Sequence, residues 1–115
     1  MILPSKYADD FEKFCELNPK PCPLLEKGNV GSYELPILCP QGVDVRTDLP
    51  KYKVFRYGKF VEETLDIVDL WSDDLVTFLL GCSFSFEEAL ERAGLPGRNV
   101  VERKNVPMFK TSISC

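Results

Sequence analysis

The chain has 115 residues, enough for one domain-sized unit that buries roughly two-thirds of its unfolded surface. Hydrophobic residues make up 44% and charged residues 28%, which is the balance of a globular protein. The net charge of −4 and the lack of a lysine or arginine cluster exclude nucleic acid as an expected partner. The apolar runs are short, so no membrane contact is predicted, and the N-terminal region does not resemble a signal peptide. We expect a cytoplasmic protein.

The first predicted element is a helix that begins after Pro4 and ends at Asn18, because Pro19 disfavours helical geometry in the residue before it. Its apolar stripe follows helical spacing and consists of Tyr7, Phe11, Phe14 and Cys15. A short strand is predicted at residues 24–26. Residues 27–41 are rich in glycine, asparagine, serine and proline, which predicts a surface loop.

The middle of the chain predicts a β-hairpin. Tyr52–Arg56 and Lys59–Thr64 are rich in aromatic and β-branched residues, and Tyr57 and Gly58 separate them. A connection of two residues with glycine second is typical of a tight hairpin turn.

Two helices are predicted next. The first is capped by Ser72, buries Leu75, Phe78, Leu79 and Cys82, and ends at Gly81. The second begins with a capping box of Ser85 and Glu88, runs to Ala93 and stops at Gly94. A last strand is predicted at residues 106–113. The fold class is therefore α/β, with mixed α and β elements: helices packed on a mixed sheet that includes a hairpin, in one domain spanning residues 1–115.

The five cysteines and the absence of histidine limit the chemistry. An odd number of cysteines without a secretory signal argues against a disulfide framework, and no CxxC pair or histidine is present to bind zinc. We expect reduced thiols, no metal and no cofactor. Acid–base chemistry must then use carboxylates, thiols, lysines or tyrosines.

The segment 81–87 (Gly-Cys-Ser-Phe-Ser-Phe-Glu) concentrates polar groups between two predicted elements. Backbone amides at the start of the second helix suit a substrate carboxylate, Cys82, Ser83 or Ser85 can act as nucleophile, and Glu87 as acid or base. The structural alternative is a packing joint, in which Ser85 is a helix cap, Cys82 a core residue and Ser83 a turn former.

Two further segments offer substrate-binding groups. Arg46 can grip a carboxylate through two parallel hydrogen bonds with Asp48 orienting it, or Arg46 and Asp48 can pair locally before the hairpin. Asn105 precedes the last predicted strand, and we assign it to the substrate site.

Several of these segments together resemble one family. They are residues 18–25 (Asn-Pro-Lys-Pro-Cys-Pro-Leu-Leu), 44–52 (Asp-Val-Arg-Thr-Asp-Leu-Pro-Lys-Tyr), 66–87 and 105–108 (Asn-Val-Pro-Met). In this order they are similar to the hydro-lyase family that also contains the animal mitochondrial D-glutamate cyclase. The resemblance runs over nearly the whole chain, which corresponds to a central portion, roughly half, of a family-length protein.

The resemblance implies an α/β fold and a lyase without a cofactor that acts on a small amino acid or carboxylic acid. In the best-understood member it implies closure of D-glutamate to 5-oxo-D-proline with loss of water. We assign the catalytic roles to Cys82, Ser83, Ser85 and Glu87, and substrate binding to Arg46, Asp48 and Asn105. The resemblance also implies a mitochondrial matrix location as the alternative to the cytoplasm. Because the chain spans about half of a family member, we expect it to be inactive alone; the alternative function is a non-catalytic, truncated or interaction module.

Overall fold

The computed structural model describes residues 1–82, 87–103 and 112. The chain forms two compact units, Met1–Cys82 and Ser83–Cys115, which are described separately. The strands are β1 (Ile2–Pro4), β2 (Leu24–Lys27), β3 (Tyr52–Arg56), β4 (Lys59–Thr64) and β5 (Leu75–Leu80). The α-helices are α1 (Ala8–Leu17), α2 (Glu87–Arg92) and α3 (Arg98–Val101), with 3-10 turns at Ser5–Tyr7 and Val68–Leu70. The mixed α and β class is confirmed, and the single domain over residues 1–115 stays a prediction.

The predicted helix after Ser72 is wrong, because this segment is the strand β5. Its six residues, Leu-Val-Thr-Phe-Leu-Leu, are a continuous apolar run with two β-branched members, which is typical of a strand buried on both faces. Val76, Thr77 and Phe78 are all buried. Ser72 caps no helix here; its hydroxyl donates to the Asp74 carboxylate at 2.5 Å.

β5 is the central strand of a three-stranded antiparallel sheet with the order β1-β5-β2. The register pairs Leu3 with Val76, and Lys27 with Phe78. The N-terminal strand β1 was not predicted from sequence. It is held at its very start, because the backbone N and O of Met1 both bond to Phe78, at 2.8 and 2.7 Å. Every strand pair in the described residues is antiparallel.

Helix α1 covers one face of this sheet. The core there is formed by the buried residues Ala8, Val76 and Phe78, with Leu3, Phe11 and Leu24 packed around them. The rings of Phe11 and Phe78 meet edge to face with centroids 5.0 Å apart, a favourable aromatic geometry. The predicted helix is confirmed, although its stripe is only partly buried: Phe14 is half exposed, whereas Cys15 is fully covered.

The loop between β2 and β3 packs on the opposite face. As predicted it contains no helix or strand over residues 28–41, yet its Leu35 is among the most buried side chains of the unit. The Gly28 amide donates to the Thr77 carbonyl at 2.8 Å. A side chain at Gly28 would press within 3.2 Å of Leu35, so this close approach favours glycine.

Glu26, a residue of β2, binds the backbone of the same loop through its side chain. Its side chain is buried, and its two carboxylate oxygens accept the backbone amides of Ile37 at 3.0 Å and Leu38 at 2.9 Å. A buried charge costs free energy unless it is hydrogen-bonded, and these two amides satisfy it. The loop is therefore held by a charged clamp that composition alone did not reveal.

The hairpin of β3 and β4 is confirmed with the predicted turn. Tyr57 and Gly58 both have positive φ, 52° and 75°, as a type I′ turn requires. Tyr52 anchors the hairpin, since its buried hydroxyl donates to the Val45 carbonyl at 2.8 Å and accepts the Leu49 amide at 3.2 Å. The rest of the hairpin is largely exposed.

In the second unit, α2 ends at Arg92, one residue before the predicted end at Ala93. Gly94, the predicted stop, has a φ of +76°, which suits that role. The Leu95 amide bonds back to the Leu90 carbonyl at 2.9 Å. Helix α3 was not predicted. The Ser85–Glu88 capping box and the strand predicted at residues 106–113 lie outside the described residues.

Replacing Glu26 by alanine tests the clamp. We expect Glu26→Ala to lower the free energy of unfolding by about 2–3 kcal/mol, because two amides lose a charged acceptor. Urea unfolding followed by fluorescence of Trp71, the single tryptophan of the chain, measures this change. Glu34→Ala is the matched control, since Glu34 is an exposed carboxylate of the same loop. Equal stability of the two variants would contradict the clamp.

Candidate functional site

The candidate segment 81–87 starts where the buried strand β5 ends. Gly81 is fixed at this exit, because its amide donates to the Pro23 carbonyl at 2.8 Å. A side chain at Gly81 would come within 3.1 Å of Pro23 and 3.4 Å of Leu25. Packing against the segment before β2 therefore sets the position from which the chain leaves the sheet.

Cys82 is exposed and has a free thiol, so the expectation of a core cysteine in the packing-joint alternative is wrong for this residue. Ser83 and Ser85 lie outside the described residues. Glu87 is the first residue of α2, and its side chain is likewise outside the described part. The grouping of these four catalytic candidates stays a prediction.

The described cysteines are free, as predicted. They differ in exposure: Cys15 is buried in α1, Cys22 and Cys39 are partly exposed, and Cys82 is exposed. Burial raises the pKa of the Cys15 thiol, which suits a structural residue and not a nucleophile. Among the described residues no group of three or more cysteine or acidic side chains is placed to hold a metal ion.

Arg46 is engaged by a residue that the sequence analysis did not select. Its guanidinium binds the carboxylate of Asp44 through Nη2 at 2.6 Å and Nε at 3.0 and 3.1 Å, and the Arg46 amide adds a fourth contact at 2.8 Å. The guanidinium also stacks on the Tyr33 ring, 3.8 Å from its centroid. The local pairing considered for Arg46 thus exists, but with Asp44 in place of Asp48.

Asp48 belongs to the same turn. One of its carboxylate oxygens accepts the Asp44 amide at 2.8 Å, and the other accepts the Thr47 hydroxyl at 3.0 Å. Arg46 and Asp48 are therefore brought together through Asp44. Asn105, the third predicted substrate-binding residue, lies outside the described residues. The sequence did contain a signal for Asp44. An arginine in a turn can pair with a carboxylate two residues before it as readily as with a carboxylate two residues after it.

The ion pair shifts both of its members. Hydrogen bonds from Arg46 lower the pKa of Asp44, against the opposing effect of burial, and the same bonds raise the pKa of Arg46. Both side chains are about one-quarter exposed. A substrate carboxylate that binds the Nε and Nη2 donors of Arg46 must therefore replace Asp44. In the structure as it stands, this pair is a fold-fixing contact.

A cleft of about 580 Å³ lies beside the hairpin, and its lining includes neither Arg46 nor Asp48 nor Cys82. It is bordered by β1, by residues 51–56 and by Ile67, Leu70 and Leu75. Its volume falls in the range of clefts that hold small ligands. Sequence reasoning missed it, because it arises where two separate sheets approach each other. Among the described residues, no helix has the length and apolar character needed to cross a membrane.

Comparison with known proteins confirms the predicted resemblance. The profile of a family described as D-glutamate cyclase matches residues 76–115. A protein named "Putative hydro-lyase" from Bradyrhizobium diazoefficiens is 52% identical over 114 residues, covering 99% of this chain and 42% of that protein. Relatives of the same name from Staphylococcus haemolyticus and Geobacillus kaustophilus are 53% and 52% identical, over 98% and 100% of this chain and 43% of each relative.

The chain thus spans about two-fifths of the length of the curated relatives it matches. It is similar to a part of the hydro-lyase and D-glutamate cyclase family, as the sequence analysis predicted. These organisms are bacteria, so the relatives give no support to the mitochondrial alternative, and the cytoplasmic location stays a prediction.

The Asp44–Arg46 pair predicts how this region responds to acid. Because the folded pKa of Asp44 lies below its ordinary value of 3.8, the pair stabilises the fold fully above that value. That stabilisation is lost as the pH falls through the lowered pKa. NMR titration of the Asp44 carboxyl carbon should show the low pKa in the wild type and a higher one in Arg46→Ala. Arg56→Ala, which removes an exposed arginine outside this turn, should leave it unchanged. An Asp44 pKa that is the same in all three proteins would refute the pairing.

Proposed function

We propose that this chain acts as the corresponding portion of a hydro-lyase and contributes to the loss of water from a small amino acid or carboxylic acid. We propose D-glutamate as the substrate. The observation that carries the proposal is the match of the D-glutamate cyclase family to residues 76–115. That match includes β5 except its first residue, Leu75, and the whole segment 81–87. The identity of about half of all residues to proteins named hydro-lyase supports it over nearly the full chain.

The proposed reaction places clear demands on the protein. The amine nitrogen of D-glutamate attacks its own γ-carboxyl carbon, a C–N bond forms, a C–O bond breaks and water leaves. The ammonium must lose one proton before the attack and the nitrogen a second one after it, and the departing carboxylate oxygen must gain two protons to leave as water. The reaction therefore needs a group that transfers protons, donors that stabilise the negative oxygen of the intermediate, and a partner for the α-carboxylate.

Segment 81–87 holds side chains of the required types. We assign proton transfer to Glu87, since a carboxyl group can act as base and then as acid in a chain without histidine. Ser83, Ser85 and Cys82 are the proposed donors or nucleophiles around the reacting carboxyl group. The anchoring of Gly81 on Pro23 supports this assignment, because groups that stabilise a transition state must start from a rigid element.

The three predicted substrate-binding residues keep that role in the proposal with one condition. Arg46 can hold the α-carboxylate through Nε and Nη2 only after Asp44 gives way, because the two anions compete for these donors. Asp48 accepts the Asp44 amide and would keep the Asp44 backbone in place after the Asp44 carboxylate has left Arg46. Asn105 supplies an amide for a further substrate oxygen.

The alternative function is a non-catalytic module of the same fold. It is favoured by the tight pairing of Arg46 with Asp44 and by the span of about two-fifths of each relative. We expect the rest of a relative's length to supply further groups that the reaction needs. The chain alone should then show no turnover while a full-length relative does.

A chimera tests the function with this chain's own residues. The chain replaces the aligned portion of the Geobacillus kaustophilus relative. All 115 residues of the chain align with that relative. We expect the relative and the chimera to convert D-glutamate to 5-oxoproline, measured by chiral chromatography, and the chain alone to be inactive. In the chimera, Glu87→Gln should lower kcat by about 100-fold or more, as loss of a general acid–base does.

Glu91→Gln is the control, because Glu91 is an exposed carboxylate one turn further along α2. It should keep the activity of the chimera. An inactive relative would overturn the choice of D-glutamate. Full activity of the Glu87→Gln chimera would overturn the assignment of proton transfer, and turnover by the chain alone comparable to that of the relative would overturn its role as a partial unit.

A further inference from the structure

We propose that the cleft beside the hairpin binds an extended polypeptide strand that carries acidic side chains, and that this strand pairs with the edge of β3 that no described strand occupies. The proposal goes beyond the lyase function and uses none of its residues. It rests on the edge of β3 that borders the cleft, on the charge of its lining and on the apolar residues within that lining.

The edge of β3 opposite β4 forms one side of the cleft. Residues 51–56 line it without interruption, and these include the whole of β3. Successive side chains of a strand point to opposite faces, so an unbroken run can border one cleft only along the strand's edge. Within the described part of the chain, β3 forms its backbone ladder with β4 alone.

The register shows which groups face the cleft. Arg56 pairs with Lys59 beside the two-residue turn, so the next pair, Phe55 with Phe60, is the non-hydrogen-bonded kind. The close contact of these two rings, with centroids 5.8 Å apart, agrees with that assignment. The N–H and C=O of Phe55 therefore point away from β4, toward the open edge.

The face of β1 that carries Ile2 and Pro4 borders the same cleft. Met1 and Phe78 exchange both backbone bonds, which makes Ile2 and Thr77 a non-hydrogen-bonded pair and turns the backbone groups of Ile2 outward. Ile2 and Pro4 line the cleft, and the intervening Leu3 does not. Since Pro4 has no N–H, β1 offers fewer donors than β3, and β3 is the better template for an added strand.

The lining is cationic in an acidic protein. Lys51, Lys53 and Arg56 border the cleft, and its described lining contains no carboxylate, although the chain carries a net charge of −4. Glu63 on β4 pairs with Lys51 at 3.3 Å, but both side chains are about half exposed, so this pair holds Lys51 weakly. The charge of the cleft therefore favours an acidic occupant.

An extended polypeptide fits these features better than a compact ligand does. Added strands gain affinity from main-chain hydrogen bonds and specificity from alternate side chains. The cleft offers a backbone edge that no described strand occupies, with Lys51 and Lys53 on one face of it and Arg56 on the other. Apolar side chains of the added strand would meet Ile67, Leu70 and Leu75, which lie among the lining residues. The preferred strand thus alternates acidic and aliphatic residues.

A capped synthetic peptide of alternating glutamate and valine is the probe, with a lysine-and-valine peptide as its counterpart. Fluorescence anisotropy should show binding of the acidic peptide to the chain and affinity weaker by about tenfold or more for the basic one. Binding should weaken as salt rises to about 0.5 M, since exposed charges are then screened. Amide hydrogen exchange at Phe55 should slow in the complex, which a merely electrostatic contact would not cause.

Two variants decide the role of the cations. Lys53→Gln combined with Arg56→Gln should weaken binding of the acidic peptide by about tenfold, because two attractions are lost. Lys59→Gln is the matched control, as Lys59 is an exposed cation of the same hairpin that does not line the cleft. Circular dichroism shows whether each variant keeps its fold. If the double variant does not fold, the single variant Lys53→Gln replaces it.

Three results would overturn the proposal. One is equal binding of the acidic and basic peptides, and another is loss of binding in Lys59→Gln equal to that in the double variant. The third is self-association of the chain in sedimentation that Lys53→Gln and Arg56→Gln abolish, which would make a second copy the occupant. None of these readouts depends on turnover of D-glutamate.

Discussion

The first unit depends on the pairing of β5 along both of its edges. β1 and β2 flank this strand, α1 covers one face and the loop of residues 28–41 covers the other. Val76 and Phe78 are almost completely buried as a result. Burial on both faces supplies the hydrophobic free energy that no other strand of the unit can offer, because β3 and β4 are largely exposed.

The same pairing sets the limits on function. β5 ends against Pro23, so the segment that follows it leaves from a fixed point on a buried sheet, as a catalytic segment requires. Among the described residues β1 is the outer strand of the sheet, and its face with Ile2 and Pro4 shares a cleft with β3. One part of the chain thus offers a rigid base for chemistry, and another offers an edge for a partner. The two proposals use different residues and stand or fall separately.

Local signals in the sequence predicted the local elements. The Tyr57–Gly58 turn was found because positive φ at two adjacent positions is a property of the turn itself, and α1 was found because its stripe and its stop at Pro19 lie within one segment. β5 was missed for the opposite reason. Leu75, Phe78, Leu79 and Cys82 fall at helical spacing, and the choice of a strand comes from pairing with residues some 50 and 75 positions away.

The candidate site shows the same division. Residue types predicted that Arg46 would meet a carboxylate, but Asp44 and Asp48 lie at equal distances along the chain, and only the folded turn selects Asp44. The clamp of Glu26 and the cleft beside β3 were beyond prediction, because each joins segments that are separate in sequence. The resemblance to hydro-lyases, in contrast, was readable from short ordered motifs and was confirmed over nearly the whole chain.

The strand assignment of residues 75–80 is tested most directly by nuclear Overhauser contacts in the labelled chain. Ile2 and Thr77 form a non-hydrogen-bonded antiparallel pair, so their α-protons should lie close together and give a strong cross-strand signal. Contacts from the α-proton of Leu75 to the amide of Phe78, the pattern of a helix, together with no signal between Ile2 and Thr77, would contradict the account.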